Sequence, residues 1–466
     1  MLFNSYIYIF LFLPFTFFVY FALNRAKLLV ASKIFLVLAS LFFYSWWSVK
    51  YLPIMLFSIF FNYYIGQLLS KKRENKSILI FGIVANVSLL GYFKYADFLI
   101  DTTNMALNTN IELLHLTLPL AISFFTFQQI AYLVDSYKGE TKEYSFLNYA
   151  NFVTFFPQLI AGPIVHHKEM MPQFENISNK LKRYNNISKA IFIFSIGLFK
   201  KVIIADTFAI WANAGFNSAG ALNMLEAWVT SLSYTFELYF DFSGYTDMAI
   251  GSALLFNIKL PINFNSPYKA TSIQDFWRRW HITLSRFLRD YIYIPLGGNK
   301  RGEIKTYSNL FITFLIGGIW HGAGWNFIFW GFLHGVATVI HRFWSKLNFK
   351  LNTIVAWFIT FNFINITWVF FRAKDWSSAI KILKAMFFGE FKIPQNLNSY
   401  LHHISSNSYA IYAVIVAFVV VLFFKNSNEI AKKFKPNILT LIFSAVIFLV
   451  SIASLTKFSE FLYFNF

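Results

Sequence analysis

The chain has 466 residues, of which 57% are hydrophobic, 21% aromatic and 13% charged, against roughly 25% charged in a soluble globular chain. That balance excludes an ordinary soluble domain and points to an all-α, polytopic membrane protein. The 40 Lys and Arg against 21 Asp and Glu give +19, but the basic residues sit in the breaks between apolar runs, so membrane orientation accounts for the charge and no nucleic acid is expected.

A membrane helix needs about 20 apolar residues to cross a hydrocarbon core of roughly 30 Å. In chain order, runs approaching that length lie near residues 2–23, 31–49, 52–69, 77–96, 113–134, 224–240, 352–371, 408–424 and 437–455. The first exceeds a signal-peptide core and shows neither a short n-region nor a small-residue cleavage site, so it is read as a retained span. Arg25, Lys27, Lys33 and the stretch from Lys71 to Lys76 mark the cytoplasmic side. The stretch from Asp97 to Glu112 has acids and no Lys or Arg, which puts the N-terminus outside. Lys425, Lys432, Lys433 and Lys435 mark a last cytoplasmic loop, so the final span also ends outside.

The middle of the chain is less regular. Residues 152–167, FVTFFPQLIAGPIVHH, contain Pro157, Gly162 and Pro163 and suit a re-entrant or interfacial segment; Lys200 and Lys201 interrupt the apolar stretch from Ile191 to Trp211. Non-helical backbone at membrane depth is tolerated only where protein or a water-filled cavity satisfies it, so a cavity is expected here. Gly389 to Ser408 is the longest outer loop and too short to fold independently. Residues 1–466 are therefore read as a single transmembrane domain.

The fragment IGGIWHGAGWNFIFWGFLHG, residues 316–335, sets His321 among glycines in a stretch greasy enough for lipid. An ionisable residue at that depth is costly and a functional candidate by default. Residues 306–341 form a hairpin between basic flanks, and two forms of it stand. In one, a first limb of roughly 20 Å, Tyr307 to Trp320, turns inside the membrane at His321, with Gly317, Gly318, Gly322 and Gly324 giving backbone freedom and close approach. In the other, the hairpin crosses fully and the glycines are helix-packing contacts. His321 itself is either a structural histidine hydrogen-bonded between helices or a catalytic one. In the second case Trp320, Trp325 and Trp330 are flat apolar walls, and an imidazole of ordinary pKa about 6.5 takes a proton from an attacking hydroxyl and returns it to a leaving thiol.

A second fragment, residues 272–302, carries His281. Asp275, Arg278 and Arg279 are spaced for local pairing on a helix, as are Arg286 and Asp290. The segment is either a positive interfacial helix held by those pairs or an anion site at the cytoplasmic mouth, with Arg278, Arg279 and Lys300 meeting donor phosphates and His281 further in. No Walker or dinucleotide pattern accompanies it. In YFDFSGYTDMAIG, residues 239–251, Asp241 and Asp247 either orient a catalytic histidine or serve structural pairing or N-capping at a break at Ser243 and Gly244. His166 and His167 with Glu169 are not read as a metal set, because adjacent histidines point apart on a helix. His402 and His403 are read the same way, and His334 and His341 as wall and interface residues, so no metal is expected. The chain has no cysteine, which removes disulfides, zinc-thiolate sites and any acyl-thioester formed on the enzyme.

Trp320 to Gly322 (WHG), FWRRWHITLSRFLRDYIYIPLGG and YFDFSGYTDMAIG together resemble the membrane-bound O-acyltransferases. Within that family, residues 119–139, PLAISFFTFQQIAYLVDSYKG, and 155–164, FFPQLIAGPI, are similar to the bacterial branch that O-acetylates alginate and peptidoglycan. The resemblance implies about 11 transmembrane helices plus re-entrant or interfacial helices, in a ring around a thinned centre whose tunnel joins a cytoplasmic donor mouth to an outer funnel. It implies that His321 is the catalytic histidine and His281 the second histidine of this branch, with Arg278, Arg279, Trp320 and Trp325 toward the donor and Asp241, Asp247 and Gly322 supporting. No bound cofactor is implied; acetyl-CoA or another activated acyl donor is substrate, and an extracytoplasmic SGNH-hydrolase-like acetyltransferase completes transfer to a glycan. The expected place is the bacterial inner membrane, and peptidoglycan stands ahead of an alginate-like polymer as acceptor. D-alanyl transfer to teichoic acid and a non-catalytic conduit for acyl groups or lipid-linked sugar are the competing functions.

Overall fold

The computed structural model describes residues 1–71, 75–141, 145–160, 162–347, 349–391, 401, 403–404, 408–455 and 462. Every regular element among them is helical. The chain divides into two compact units, each discontinuous in sequence.

The first unit comprises Met1–Gly197, Tyr245–Ile262 and Phe434–Leu449. A π-helical turn, Ile7–Phe12, runs into α1 (Leu13–Arg25), followed by α2 (Leu29–Ser45), α3 (Leu52–Lys71), α4 (Lys76–Leu107), α5 (Ile122–Tyr137), α6 (Phe146–Thr154), α7 (Phe156–Leu159), α8 (His167–Glu175) and α9 (Tyr184–Phe199). Helices α3 and α4 are tied by a reciprocal amide pair: Asn62 donates to Asn86 Oδ1 at 3.1 Å and Asn86 to Asn62 Oδ1 at 2.7 Å. Between apolar helices, such polar pairs replace the hydrophobic drive that lipid cannot supply. Helix α4 has 32 residues, roughly 48 Å of rise, so the acidic stretch expected as a loop from Asp97 is helical as far as Leu107. It ends where Asn108 takes a left-handed φ of 53°. The segment around Pro157 is buried, and residues 163–166 have no regular structure, with His166 extended. Two of its polar groups are met inside the protein: the Phe156 N–H donates to Ser40 Oγ at 3.1 Å and the Gln158 amide to the Phe152 carbonyl.

The second unit comprises Leu198–Gly244, Asn263–Lys433 and Val450–Phe466. A π-helical turn, Lys200–Ala205, leads into α10 (Asp206–Asn217) and then α11 (Met224–Leu255), α12 (Ile273–Arg279) and α13 (Ile282–Leu288). After a second π-helical turn, Arg289–Tyr293, come α14 (Glu303–His321), α15 (Trp325–Trp344), α16 (Thr353–Arg372), α17 (Trp376–Phe388), α18 (Tyr409–Phe423), α19 (Ser427–Lys432) and α20 (Ile438–Ala453). Helices α9, α11 and α20 continue across the division between units. Among the described residues, four helices are long and apolar enough to cross a membrane, Ile7–Arg25, Val49–Lys71, Lys76–Leu107 and Thr353–Arg372; α2, α18 and α20 are shorter apolar helices.

Helices α14 and α15 form the expected hairpin, but with longer limbs. With 19 and 20 residues each rises roughly 30 Å, so the first limb is not the short one of the sequence reading. Its glycines are packing contacts. A Cβ on Gly318 would lie 2.8 Å from the Gly331 Cα, one on Gly331 2.7 Å from the Phe314 carbonyl oxygen, and one on Gly335 3.2 Å from the Phe311 carbonyl oxygen. The turn does not depend on glycine's conformational freedom: Gly322 (φ −161°) and Gly324 (φ −177°) are extended, as any residue can be. What Gly322 provides is space, because a Cβ there would run into the Phe327 ring. Gly318→Ala should therefore cost roughly 1–3 kcal/mol through overpacking. Gly91→Ala, where a Cβ meets nothing within 4 Å, should be near neutral. Thermal unfolding of the two variants in detergent measures the difference.

Candidate active site

His321 is the last residue of α14 and only 4% exposed. Its ring is enclosed edge-to-face by Trp320, Trp330 and Phe371, with centroids at 4.9, 5.1 and 5.1 Å. Trp320 also meets His281, at 6.3 Å, so one indole adjoins both candidate histidines. The sequence reading placed Trp320 with the donor; the geometry places it with the imidazoles.

His281 links α12 to α13 and is fully buried, in a left-handed conformation at φ 43°, ψ 52°. A backbone clamp holds it there: the Asn265 N–H donates to the Arg279 carbonyl at 2.9 Å, and the Ile282 N–H to the Asn263 carbonyl at 3.0 Å. The His281 Nδ1 lies 3.2 Å from Asn263 Oδ1, and the Phe242 ring packs perpendicular to it at 4.9 Å.

His334, a third buried histidine, has both nitrogens committed. The Trp277 indole N–H donates to its Nδ1 at 3.1 Å, while its Nε2 lies 3.2 Å from Thr367 Oγ1. Because that hydroxyl spends its hydrogen on the Ile364 carbonyl, Nε2 must be the donor. The ring is therefore a neutral, satisfied wall residue.

Toward the other end of the α14–α15 hairpin lies a cavity of about 580 Å³ whose wall includes Arg278, Arg286, Arg289, His341 and Arg342. Trp277 and Ile282 also line it, and Trp277 packs against Trp330 at 5.8 Å, which in turn packs against His321. The cavity stops short of His321, which is not among its wall residues. Arg278 belongs to this wall, but Arg279 does not: it forms an ion pair with Asp275 at 2.9 Å and reaches the Asn265 carbonyl at 3.4 Å. Asp290 pairs with Arg289, its neighbour in the π-helical turn, at 2.7 Å. That hydrogen bond holds the Arg289 guanidinium above its ordinary range. Gly297 and Gly298, at φ 113° and 54°, turn the chain back toward α14, and Lys300 beyond them is exposed and not part of the wall. Trp325 is 56% exposed at the start of α15, some 25 Å of helix rise from Arg342, so it is not brought together with the arginines.

Asp241 does not cap a helix. Helix α11 runs unbroken through Ser243 and Gly244. Asp241 pairs with Lys201 at 2.6 Å, and Lys201 also meets Asp206 at 2.9 Å, all three on buried or nearly buried side chains. The Leu462 N–H donates to Asp241 Oδ2 at 3.3 Å, and Glu237, one turn earlier on α11 and 3% exposed, lies in the same electrostatic neighbourhood with Arg372. Lys201, expected beside a cavity, is thus packed into an ion cluster. Asp247, in the first unit, is 2% exposed on the continuation of α11.

Sequence reasoning missed Glu237 and the pairing of Lys201. It also missed Asp135, which receives His167 Nε2 at 2.9 Å with His166 Nδ1 at 3.9 Å. Adjacent histidines converge there because His166 is extended, at φ −94°, ψ 143°, rather than helical. His341 lines the arginine cavity, His403 faces Glu226 at 3.1 Å, and His402 lies outside the described residues.

The sequence model of the membrane-bound O-acyltransferase family matches residues 134–374, a span that contains both candidate histidines and the arginine cavity. The chain belongs to this family. A peptidoglycan O-acetyltransferase of Helicobacter pylori is 50% identical over 100% of this chain and 98% of its own length. A probable alginate O-acetylase of Pseudomonas syringae is 38% identical over 91% of this chain and 82% of its own length. A teichoic acid D-alanyltransferase of Streptococcus thermophilus is 30% identical over 50% of this chain and 59% of its own. The protein is an O-acyltransferase and a multi-pass membrane protein.

Breaking a buried ion pair by removing one partner costs about 3–5 kcal/mol, because the other charge is left uncompensated. Lys201→Met should therefore sharply lower the unfolding temperature and the yield of monodisperse protein in detergent, and adding Asp241→Asn should recover part of the loss.

Proposed function

We propose that this membrane-bound O-acyltransferase moves an acetyl group from cytoplasmic acetyl-CoA to a hydroxyl on the outer side of a bacterial inner membrane, feeding an extracytoplasmic SGNH-hydrolase-like partner that acetylates peptidoglycan. The observation that carries the reading is the pair of buried histidines on one indole, Trp320, separated by an aromatic wall from an arginine-lined cavity. The guanidiniums of Arg278, Arg286 and Arg342 suit the phosphates of a coenzyme A donor, because arginine offers paired donors in a fixed fork. Peptidoglycan takes precedence over alginate because the relative named for it is 50% identical and the alginate relative 38%.

In this mechanism Arg278, Arg286 and Arg342 hold the donor at the cavity, and its acyl arm passes along Trp277 and Trp330 to His321. His321 takes the proton of the attacking hydroxyl as the oxygen bonds to the acyl carbon. The carbon–sulfur bond breaks, and the proton goes to the departing thiolate. A two-step version, in which the imidazole first holds the acetyl group, uses the same residues. His281 positions or relays, and Arg279 acts through the local structure it stabilises with Asp275.

Membranes carrying the protein and its partner, given labelled acetyl-CoA, should deposit ester-bound acetate on wall glycan. His321→Ala in well-folded protein should lower that transfer by about 10²–10⁴-fold, the range expected for a positioned proton-transfer group. Arg342→Ala should instead raise the donor KM, by about tenfold or more if a charge-assisted hydrogen bond is lost. Full transfer by His321→Ala would favour the conduit. Label from a D-alanyl carrier protein but not from acetyl-CoA would favour the teichoic-acid reaction, and acetate on an exopolysaccharide alone the alginate-like one.

A further inference from the structure

We infer that Asn263 is a positioning residue for acyl transfer: its side-chain oxygen fixes His281 in the tautomer that carries its lone pair on Nε2. The inference rests on the reading that His281 takes part in the chemistry.

The amide's orientation follows from its neighbours. The Thr283 N–H lies 3.2 Å from Asn263 Oδ1 and the Thr283 hydroxyl 2.9 Å from it. A backbone N–H can only donate, so the atom facing it is the oxygen and not the NH₂ group. His281 Nδ1, 3.2 Å from that same oxygen, meets an acceptor and must carry the ring proton. In the neutral imidazole the lone pair then sits on Nε2. His334 is held the opposite way, with the Trp277 indole donating to its Nδ1. The fold therefore sets the tautomers of two buried histidines in contrary senses.

Two further features tie this bond to more than packing. His281 has φ 43°, a conformation uncommon outside glycine, and the Ile282 N–H on the Asn263 carbonyl at 3.0 Å fixes it there. Backbone strain of this kind persists where the surroundings over-determine it and clusters at functional sites. Asn263 is itself fully buried, and its Nδ2 has no hydrogen-bond partner among the described residues. An unsatisfied buried amide is costly, so a residue present only to fill this space would be better apolar. What the amide contributes is Oδ1, which holds His281 and Thr283 together.

A relay imidazole works only if the nitrogen nearest the reacting groups can accept a proton. With Nδ1–H committed to Asn263, that nitrogen is Nε2. Without the asparagine the ring exchanges tautomers, and a share of the molecules presents N–H where a lone pair is required.

The test combines ¹⁵N-histidine magnetic resonance on the full chain in lipid with acetyl transfer by the same preparations, His281→Ala serving to assign the resonances. The wild-type protein should show a protonated Nδ1 and an unprotonated Nε2 at His281. In Asn263→Leu that pattern should be lost and kcat should fall by at least about tenfold, with the donor KM within about threefold. Asn263→Asp, which keeps the acceptor oxygen, should restore both the pattern and most of kcat. A wild-type ring protonated on Nε2, a Leu variant with normal kcat, or an Asp variant as impaired as Leu would each overturn the inference. If Asn263→Leu does not fold, the wild-type tautomer and the Asp variant still decide it. Normal transfer by His281→Ala would instead overturn the catalytic reading of that histidine, leaving the tautomer assignment to stand or fall on the resonance alone.

Discussion

A polar group buried in an apolar helical protein has to find its partner inside the fold, since neither lipid nor a neighbouring side chain of leucine or phenylalanine can replace water. That requirement organises the second unit. Lys201, carried on a π-helical turn, sits at 3% exposure because Asp206 and Asp241 both reach it. His334 is neutral because Trp277 and Thr367 take its two nitrogens. Asn263 gathers Thr283 and His281 onto one oxygen. Each is a local solution to the same desolvation problem, and together they hold α11, the short helices α12 and α13, and the α15–α16 pair in their places.

Much of the helical framework was legible, because hydropathic run length is a direct consequence of what a bilayer admits. The runs near 52–69, 352–371, 408–424 and 437–455 correspond to α3, α16, α18 and α20 within a few residues. Where the reading departed, the cause was a partner distant in sequence. Asp241, Ser243 and Gly244 looked like a break because, taken locally, they cannot sit in a greasy helix. Forty residues away in the chain, Lys201 neutralises the acid and the helix runs on to Leu255. The run ending at Lys200 and Lys201 looked like a cavity margin for the complementary reason.

The site was legible in part. His321, His281 and Trp320 were found and the structure brings them together, because an imidazole in an apolar run is conspicuous whatever its neighbours. Arg278 was found, whereas Arg286 read as a local partner of Asp290, Arg342 as flanking charge and Arg289 as nothing in particular, and only the tertiary arrangement makes them one wall. Asn263 carried no signal at all. An asparagine followed by Phe264 and Asn265 reads as a loop, and nothing in it announces a hydrogen bond to a ring eighteen residues on.

The separation between arginines and histidines has a chemical logic of its own. On the proposed function, a donor thioester and a glycan hydroxyl must meet without water, because water is the more abundant nucleophile and would hydrolyse the acyl group. Polyanionic phosphates, by contrast, bind best where guanidiniums are partly hydrated and long charged side chains can adjust. A single open chamber would serve one need at the expense of the other. The indoles of Trp277, Trp330 and Trp320 divide the two environments: exposed Arg278 and Arg289 on one side, and an imidazole only 4% exposed on the other. Aromatic rings suit that division, for they exclude water over a large flat area at little conformational cost and pass a narrow chain more readily than a hydrated nucleophile. On the proposed function, the high aromatic content of the chain is therefore part of the chemistry as well as of the membrane fit.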